Sequence, residues 1–279
     1  MSQHDCDLLI VGAGILGLAH AWAGAKRGLK VKVFERTHTP LGASIRNFGQ
    51  ALVGGQAPGA MLNLARQARG LWAELGQAAG ISLHQQGSLL FARTEAEEAL
   101  LLAFVNGRGI ELGYRTELLR GTALNELYSG RFAHHRAALH GLDDQQLYSR
   151  EAVPQIVTYL AKQLGVEFHF STLVRDVESG SALTTAGRFS AKQIVVCSGH
   201  DYQTLLAETS RLSQDKLDGA GEDVAAAMLP DALMEPVASG STDMSSETSS
   251  MLSWGAAGFV LNSFWIVSMT DMVSLPGKT

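Results

Sequence analysis

Residues 7–35 of the 279-residue chain leave little freedom in how it can fold. Asp7-Leu-Leu-Ile-Val11 is a short apolar run with a β-branched end, the pattern of a strand buried on both faces. Gly12-Ala-Gly-Ile-Leu-Gly17 follows at once, and Leu18–Arg27 continues with helix-compatible spacing. Gly28 stands where a helix C-terminus takes a left-handed residue. Lys30–Phe34 then alternates as a second strand and leads to Glu35, 23 residues after Gly12. This order predicts a βαβ unit that holds a dinucleotide. Gly12 permits the tight turn, Gly14 lets backbone approach a pyrophosphate, and Gly17 allows helix to pack closely on strand. Ala13, Ile15 and Leu16 fill the positions between, at a helix N-terminus that faces the phosphates. Glu35 is placed to hold a ribose hydroxyl, and its charge argues against the extra phosphate of NADP. NAD and FAD both remain open on this fingerprint alone, and a glycine-rich turn without a ligand is the bland alternative.

Composition is that of an ordinary soluble globular protein, with 46% hydrophobic and 18% charged residues. A formal net charge of −5 gives no support for nucleic-acid binding. Two cysteines, Cys6 and Cys197, are far apart and in no metal-ligand spacing, which suits a reducing cytoplasm and excludes a disulfide framework. The apolar run Leu8–Ala25 follows Asp5 and Asp7 rather than a basic segment, so it reads as strand plus helix and not as a secretory signal. Met251–Met272 carries Ser253, Asn262, Ser263 and Asp271 and makes a poor membrane span.

The segment after Glu35 decides between the dinucleotides. Glu35-Arg-Thr-His-Thr-Pro-Leu-Gly-Ala-Ser44-Ile-Arg-Asn-Phe-Gly-Gln50 resembles the region after the second strand in the D-amino-acid oxidase, glycine oxidase and sarcosine oxidase family of FAD enzymes. The resemblance implies that Gly42, Ala43 and Ser44 touch the flavin diphosphate, and that Arg46, Asn47, Phe48 and Gly49 lie near the flavin ring. Arg36, beside the ribose-binding acid, joins the same cofactor set. Small residues allow close backbone approach, and an arginine can help neutralise phosphate charge. Arg46 also reads as a surface arginine, and Gln50 faces either the ring or the surface.

Downstream, Val166-Glu-Phe-His-Phe170, Thr172–Val177 and Ala191–Cys197 read as strands, the last closed by Ser198-Gly199. By the same resemblance Val174 contacts adenine through its backbone, and Cys197, Ser198 and Gly199 return the chain to the cofactor. Cys197 is otherwise a small core hydrophobe.

Between these ends, Ala60–Ala79 has helical spacing through Leu62, Leu64, Leu71, Trp72 and Leu75, with Gly80 as its cap. Ile81–Ala92 reads as two short strands around Gln86-Gly87, Glu95–Gly107 as a helix with an acidic start, and Thr122–Leu127 as a helix onset. Ala137–Leu147 is expected to be one strand, followed by a helix with Ser149 as its cap and Glu151 near the dipole. His134, His135 and His140 invite a metal reading, but adjacent histidines on one loop without a regularly spaced acid read better as solvated polar residues.

The fold expected is α/β: a Rossmann-type FAD-binding domain from 1–80 and 149–207, an inserted, incomplete α+β substrate domain at 81–148, and an atypical tail at 208–279. The family likeness extends over about residues 7–206. Family members usually run on for well over a hundred further residues that complete the substrate domain and return to the flavin. Here six of eight methionines, no histidine and one arginine, Arg211, fall in the tail, and Ser239–Ser253 holds seven serines without period. A truncated, frameshifted or fused reading frame accounts for that composition; a disordered linker is the alternative.

The resemblance implies oxidation of a C–N bond in a small amine or amino acid, with oxygen or another electron acceptor restoring the flavin. It demands no side-chain acid or base, and no catalytic residue is assigned. Ser44-Ile-Arg-Asn-Phe-Gly-Gln50 with Cys197-Ser-Gly-His-Asp201 is similar to a bacterial subgroup accompanying aminophosphonate breakdown. Two rivals predict otherwise. An NAD-dependent dehydrogenase needs no Gly42–Gly49 segment, and a non-catalytic remnant retains FAD weakly or not at all.

Overall fold

The computed structural model describes residues 4–84, 87–127, 129–201 and 205. The elements, in chain order, are β1 (Cys6–Val11), α1 (Ile15–Lys26), β2 (Val31–Phe34), a 3₁₀ turn (Ala43–Ile45), β3 (Gln50–Ala51) and α2 (Ala60–Ala79). β4 (Leu83–His84), β5 (Ser88–Ala92), α3 (Glu95–Asn106), α4 (Arg108–Glu111), β6 (Thr116–Arg120) and α5 (Gly121–Leu127) follow. Then come β7 (Ala137–Gly141), β8 (Gln145–Leu147), α6 (Ser149–Leu164), β9 (Glu167–His169), β10 (Val174–Glu178), β11 (Ser181–Thr184), β12 (Gly187–Val196) and a second 3₁₀ turn (Gly199–Asp201).

The largest sheet has six strands in the order β10-β11-β12-β1-β2-β9. β12, β1, β2 and β9 run parallel, while β10, β11 and β12 form an antiparallel meander. Both faces of β1 are covered, and its alternation sorts the core. Leu8 and Ile10 join Val31, Val33 and the apolar residues of α1, α2 and α6. Leu9 and Val11 point the other way, to Phe34, Val174, Ala182 and Ala191 on the meander side. This burial explains why Leu-Leu-Ile-Val needs no polar alternation.

α1 carries Gly17 for close approach to β1: a methyl there would stand 1.9 Å from the Gly12 carbonyl oxygen. Helix ends follow the glycine signals, with Gly28 at φ +73° and the α2 cap Gly80 at φ +70°. In α2 the fully buried positions include Leu62, Trp72 and Leu75 from the expected stripe, and also Ala65 and Ala68.

Two three-stranded antiparallel sheets occupy the middle of the chain, β3-β8-β4 and β5-β7-β6. Here several expectations change. The two short strands expected within Ile81–Ala92 are present as β4 and β5, in different sheets, β4 paired with β8 and β5 with β7. Ala137–Leu147 is not one strand but two in different sheets, broken at Leu142–Asp144, where Asp143 and Asp144 are themselves buried and take partners from other segments. α6 begins at Ser149 itself, with Tyr148 in the cap position and no side-chain cap bond. β11 adds a strand beyond those expected, and Ser179-Gly180 before it is a two-residue turn signal.

The histidines are not simply solvated. His140 lies in β7 and pairs with Glu117 at 2.8 Å, and His135 stacks on Phe91, where burial lowers its pKa. Among the described residues no helix is long and apolar enough to cross a membrane. The tail, including Met251–Met272 and Ser239–Ser253, lies outside the described residues.

Candidate functional site

Parallel strands leave their carboxyl ends on one edge, and ligands of open α/β sheets bind there. β1, β2, β9 and β12 all end at this edge, and the residues singled out from the sequence gather around it. Gly12 turns out of β1 at φ +101°, and its amide donates to the Phe34 carbonyl at 2.7 Å. A Cβ on Gly12 would stand 2.4 Å from the Cys197 carbonyl oxygen, so the turn lies flush against the end of β12. Neither the backbone angle nor the space tolerates another residue.

Glu35 is held from both sides. One carboxylate oxygen accepts from the Ala13 amide at 3.0 Å; the other accepts from the Thr37 amide at 3.0 Å and its hydroxyl at 2.7 Å. The side chain therefore has a fixed orientation at the end of β2, beside the first turn of the glycine motif. Thr172 donates its amide to the Glu35 carbonyl and Ser171 donates to Thr37, both within 3.0 Å. These bonds bring the start of β10, with buried Val174, alongside the acid.

The N-terminus of α1 has no side-chain cap of its own. Ser44, from the distant small-residue loop, supplies the nearest oxygen: its Oγ accepts from the Ile15 amide at 2.9 Å. A methyl on Gly14 would come to 3.2 Å from that Oγ. Thus the glycine motif and the Gly42–Gly49 loop converge at a helix N-terminus, where partial positive charge and free N–H groups favour an anion. Leu16 and Gly17 continue α1 behind them, and the Leu16 carbonyl is bonded by His20 Nδ1 at 2.8 Å.

Gly42 and Ala43 are exposed, as are Arg46 and Phe48 further along the loop and Arg36 after β2. Phe48 is 85% exposed, an unusual state for a large apolar ring. Asn47 has a task that sequence reasoning missed. Its Nδ2 donates to the Ala43 and Ser44 carbonyls at 3.0 and 2.9 Å, and its Oδ1 accepts from the Gly49 amide at 2.7 Å. The amide side chain thereby fixes the shape of its own loop. Gly49 follows at φ +66°, and a Cβ there would meet the Leu147 carbonyl at 1.7 Å. Gln50 is exposed in β3, opposite Gln146.

Two tethers of this loop also escaped the sequence. Ser149 Oγ donates to the Asn47 carbonyl at 3.3 Å, so this buried serine fastens the loop rather than capping α6. Asp144 accepts from the Val53 amide at 2.5 Å and the Gly54 amide at 2.8 Å, just beyond β3. Its other oxygen takes the Ser88 hydroxyl. A Ser-Arg-Glu helix start could have suggested a role for Ser149, but nothing local marks Asp144.

At the end of β12, burial pushes the Cys197 thiol up to about 12, so it is a protonated, unreactive group at neutral pH. Its Sγ lies 3.9 Å from His20 Nδ1. Ser198 Oγ is buried with no partner among the described residues, next to the Gly12 turn, and Gly199 follows at φ +65°. An orphaned hydroxyl beside a turn that admits no Cβ fits a polar group seated against this edge. The residues present therefore suit the diphosphate and ribose of FAD.

Comparison with known proteins agrees with this geometry. The family model for FAD dependent oxidoreductases, DAO, matches residues 7–220. The glycine oxidase of Geobacillus kaustophilus (strain HTA426) is 30% identical over 211 residues, which are 70% of this chain and 55% of that protein. The crystal structure of glycine oxidase from the same organism superposes with a TM-score of 0.61 at 28% identity, covering 75% of this chain and 59% of the other. An L-amino acid deaminase from Proteus vulgaris shares the fold, with a TM-score of 0.65 at 23% identity over 75% of this chain and 57% of that one. The chain spans a little over half the length of these relatives. A βαβ unit with its glycines, acid and small-residue loop in place, matched along 7–220, makes this chain a member of the FAD-dependent oxidoreductase (DAO) family.

Proposed function

We propose that this chain binds FAD across the carboxyl ends of β12, β1, β2 and β9 and serves the oxidation of a C–N bond in a small amine or amino acid. The observation that carries the reading is the meeting of Glu35, the α1 N-terminus and Ser44 on one edge, although Ser44 is 29 residues from Ile15 in sequence. Bound FAD supplies the two-electron acceptor, and oxygen or another oxidant restores it.

The chain's own residues bind and orient. Glu35, fixed by Ala13 and Thr37, presents carboxylate to a ribose hydroxyl. Gly12, Gly14 and the α1 N-terminus accept the diphosphate, with the Ser44 hydroxyl free to turn its proton toward a phosphate oxygen. Gly42 and Ala43 keep the loop slim, and exposed Arg36 and Arg46 add positive charge beside it. Val174 offers backbone to the adenine side, and Cys197, Ser198 and Gly199 close the other side. Asn47, Phe48 and Gly49 carry the chain toward the ring. In this reading 1–80 and 149–207 hold the cofactor, 81–148 contribute part of the substrate side, and the protein works in the cytoplasm, with both cysteines as free thiols.

The Ser44–Gln50 motif favours an aminophosphonate as substrate, whereas the glycine oxidase likeness favours a small amino acid. An absorbance spectrum of the purified chain, before and after anaerobic addition of glycine, other small amino acids and 2-aminoethylphosphonate, separates them. Flavin bands that bleach with one class establish the reaction and its substrate. A colourless chain that cannot be reconstituted with FAD overturns the reading in favour of a non-catalytic remnant.

A further inference from the structure

The Gly42–Gly49 loop is not self-supporting, and the segment 144–149 runs along it as a brace. Ser149 bonds Asn47, the Leu147 amide bonds the Gly49 carbonyl at 2.9 Å, and Gln50 and Ala51 pair with Gln146 and Gln145. Asp144 ends the series. It is 3% exposed, and its carboxylate takes the Val53 and Gly54 amides with one oxygen and the Ser88 hydroxyl with the other. Ser88 opens β5, so this one side chain joins the strand leaving the cofactor loop to both small sheets.

We infer that Asp144 is a positioning residue for FAD: by clamping Val53 and Gly54 it sets the register of β3 and hence where Asn47, Phe48 and Gly49 meet the flavin. This rests on the FAD reading above. The neighbouring Asp143 is a natural control. It is also buried, but it faces Arg115 at 2.7 Å and Arg69 at 3.9 Å and, among the described residues, bonds neither the Val53 nor the Gly54 amide.

The test compares Asp144→Ala, Asp144→Asn and Asp143→Asn in the full chain. In the apo protein, hydrogen exchange at residues 49–54 is expected to rise at least tenfold in Asp144→Ala. Asp144→Asn retains an acceptor for both amides and is expected to restore most of the protection. Asp143→Asn is expected to lose stability without this local change. On titration with FAD, Asp144→Ala is expected to bind at least tenfold more weakly and to show altered visible circular dichroism, with Asp144→Asn close to wild type. Should Asp144→Ala not fold, Gly54→Ala perturbs the same clamp, since its methyl would stand 3.1 Å from an Asp144 carboxylate oxygen.

Unchanged exchange at 49–54, or FAD binding and dichroism equal to wild type, overturns the inference while leaving the FAD reading intact. A wild-type chain that takes up no FAD overturns both. Equal effects from Asp144→Ala and Asp143→Asn on all readouts reduce Asp144 to general stability and also overturn it.

Discussion

At the scale of single residues, the site is built from positions where one atom more would not fit and from carboxylates whose oxygens are already committed. Gly49 combines a left-handed backbone with a Leu147 carbonyl 1.7 Å from any added Cβ. Gly49→Ala is therefore expected to cost about 3 kcal/mol, with backbone strain and a steric shift acting together, measured by urea unfolding. Glu35→Gln keeps the shape but turns an amide group toward one of the N–H donors at Ala13 or Thr37. It is expected to lower stability by about 1–3 kcal/mol and to weaken FAD binding. Equal urea midpoints for wild type and Glu35→Gln would show that these bonds contribute nothing net.

At the scale of elements, helix ends and strand breaks carry the information. α3 opens with a complete capping box: the Thr94 hydroxyl accepts from the Glu97 amide at 3.2 Å, and the Glu97 carboxylate accepts from the Thr94 and Arg93 amides. Those backbone bonds, Thr94 first and Arg93 second, lower the Glu97 pKa. The carboxylate's support is present above the ordinary glutamate range and is lost as pH falls through the lowered folded value. The protection of the amides at the start of α3, taken relative to their intrinsic exchange rates, should therefore fall in acid, and protection independent of pH would count against the box. Thr94→Ala is expected to cost about 1 kcal/mol of stability at neutral pH. The acidic start of this helix was legible in the sequence because it is local. The split of 137–147 into β7 and β8 was not, because it is imposed by Arg115, Ser88 and the Val53–Gly54 backbone, far away in the chain.

At the scale of the whole molecule, two thiols, Cys6 buried and Cys197 partly buried, link stability to alkaline pH. Burial pushes Cys6 up to about 11 and Cys197 up to about 12, against roughly 8.5 for a free thiol. The folded state thus holds these protons more tightly than the unfolded one. Their contribution is complete below the unfolded value and is lost as pH rises toward 11 and 12. A Cys6→Ala, Cys197→Ala double variant is expected to lose less stability than wild type between neutral pH and roughly pH 10, read as the shift in urea midpoint.

What the sequence alone determined was the βαβ unit, its helix-closing glycines, its acid and the family to which they belong. Those features depend on neighbours within a few residues and on a spacing that any dinucleotide site of this kind must keep. Only the tertiary structure decided what steadies the unit. Asn47 serves its own loop, Ser149 fastens that loop instead of capping a helix, and Asp144 clamps the strand beyond it. The physical reason is that a buried polar side chain must find a partner, and here the partners lie up to 102 residues away, where the sequence pattern has no reach.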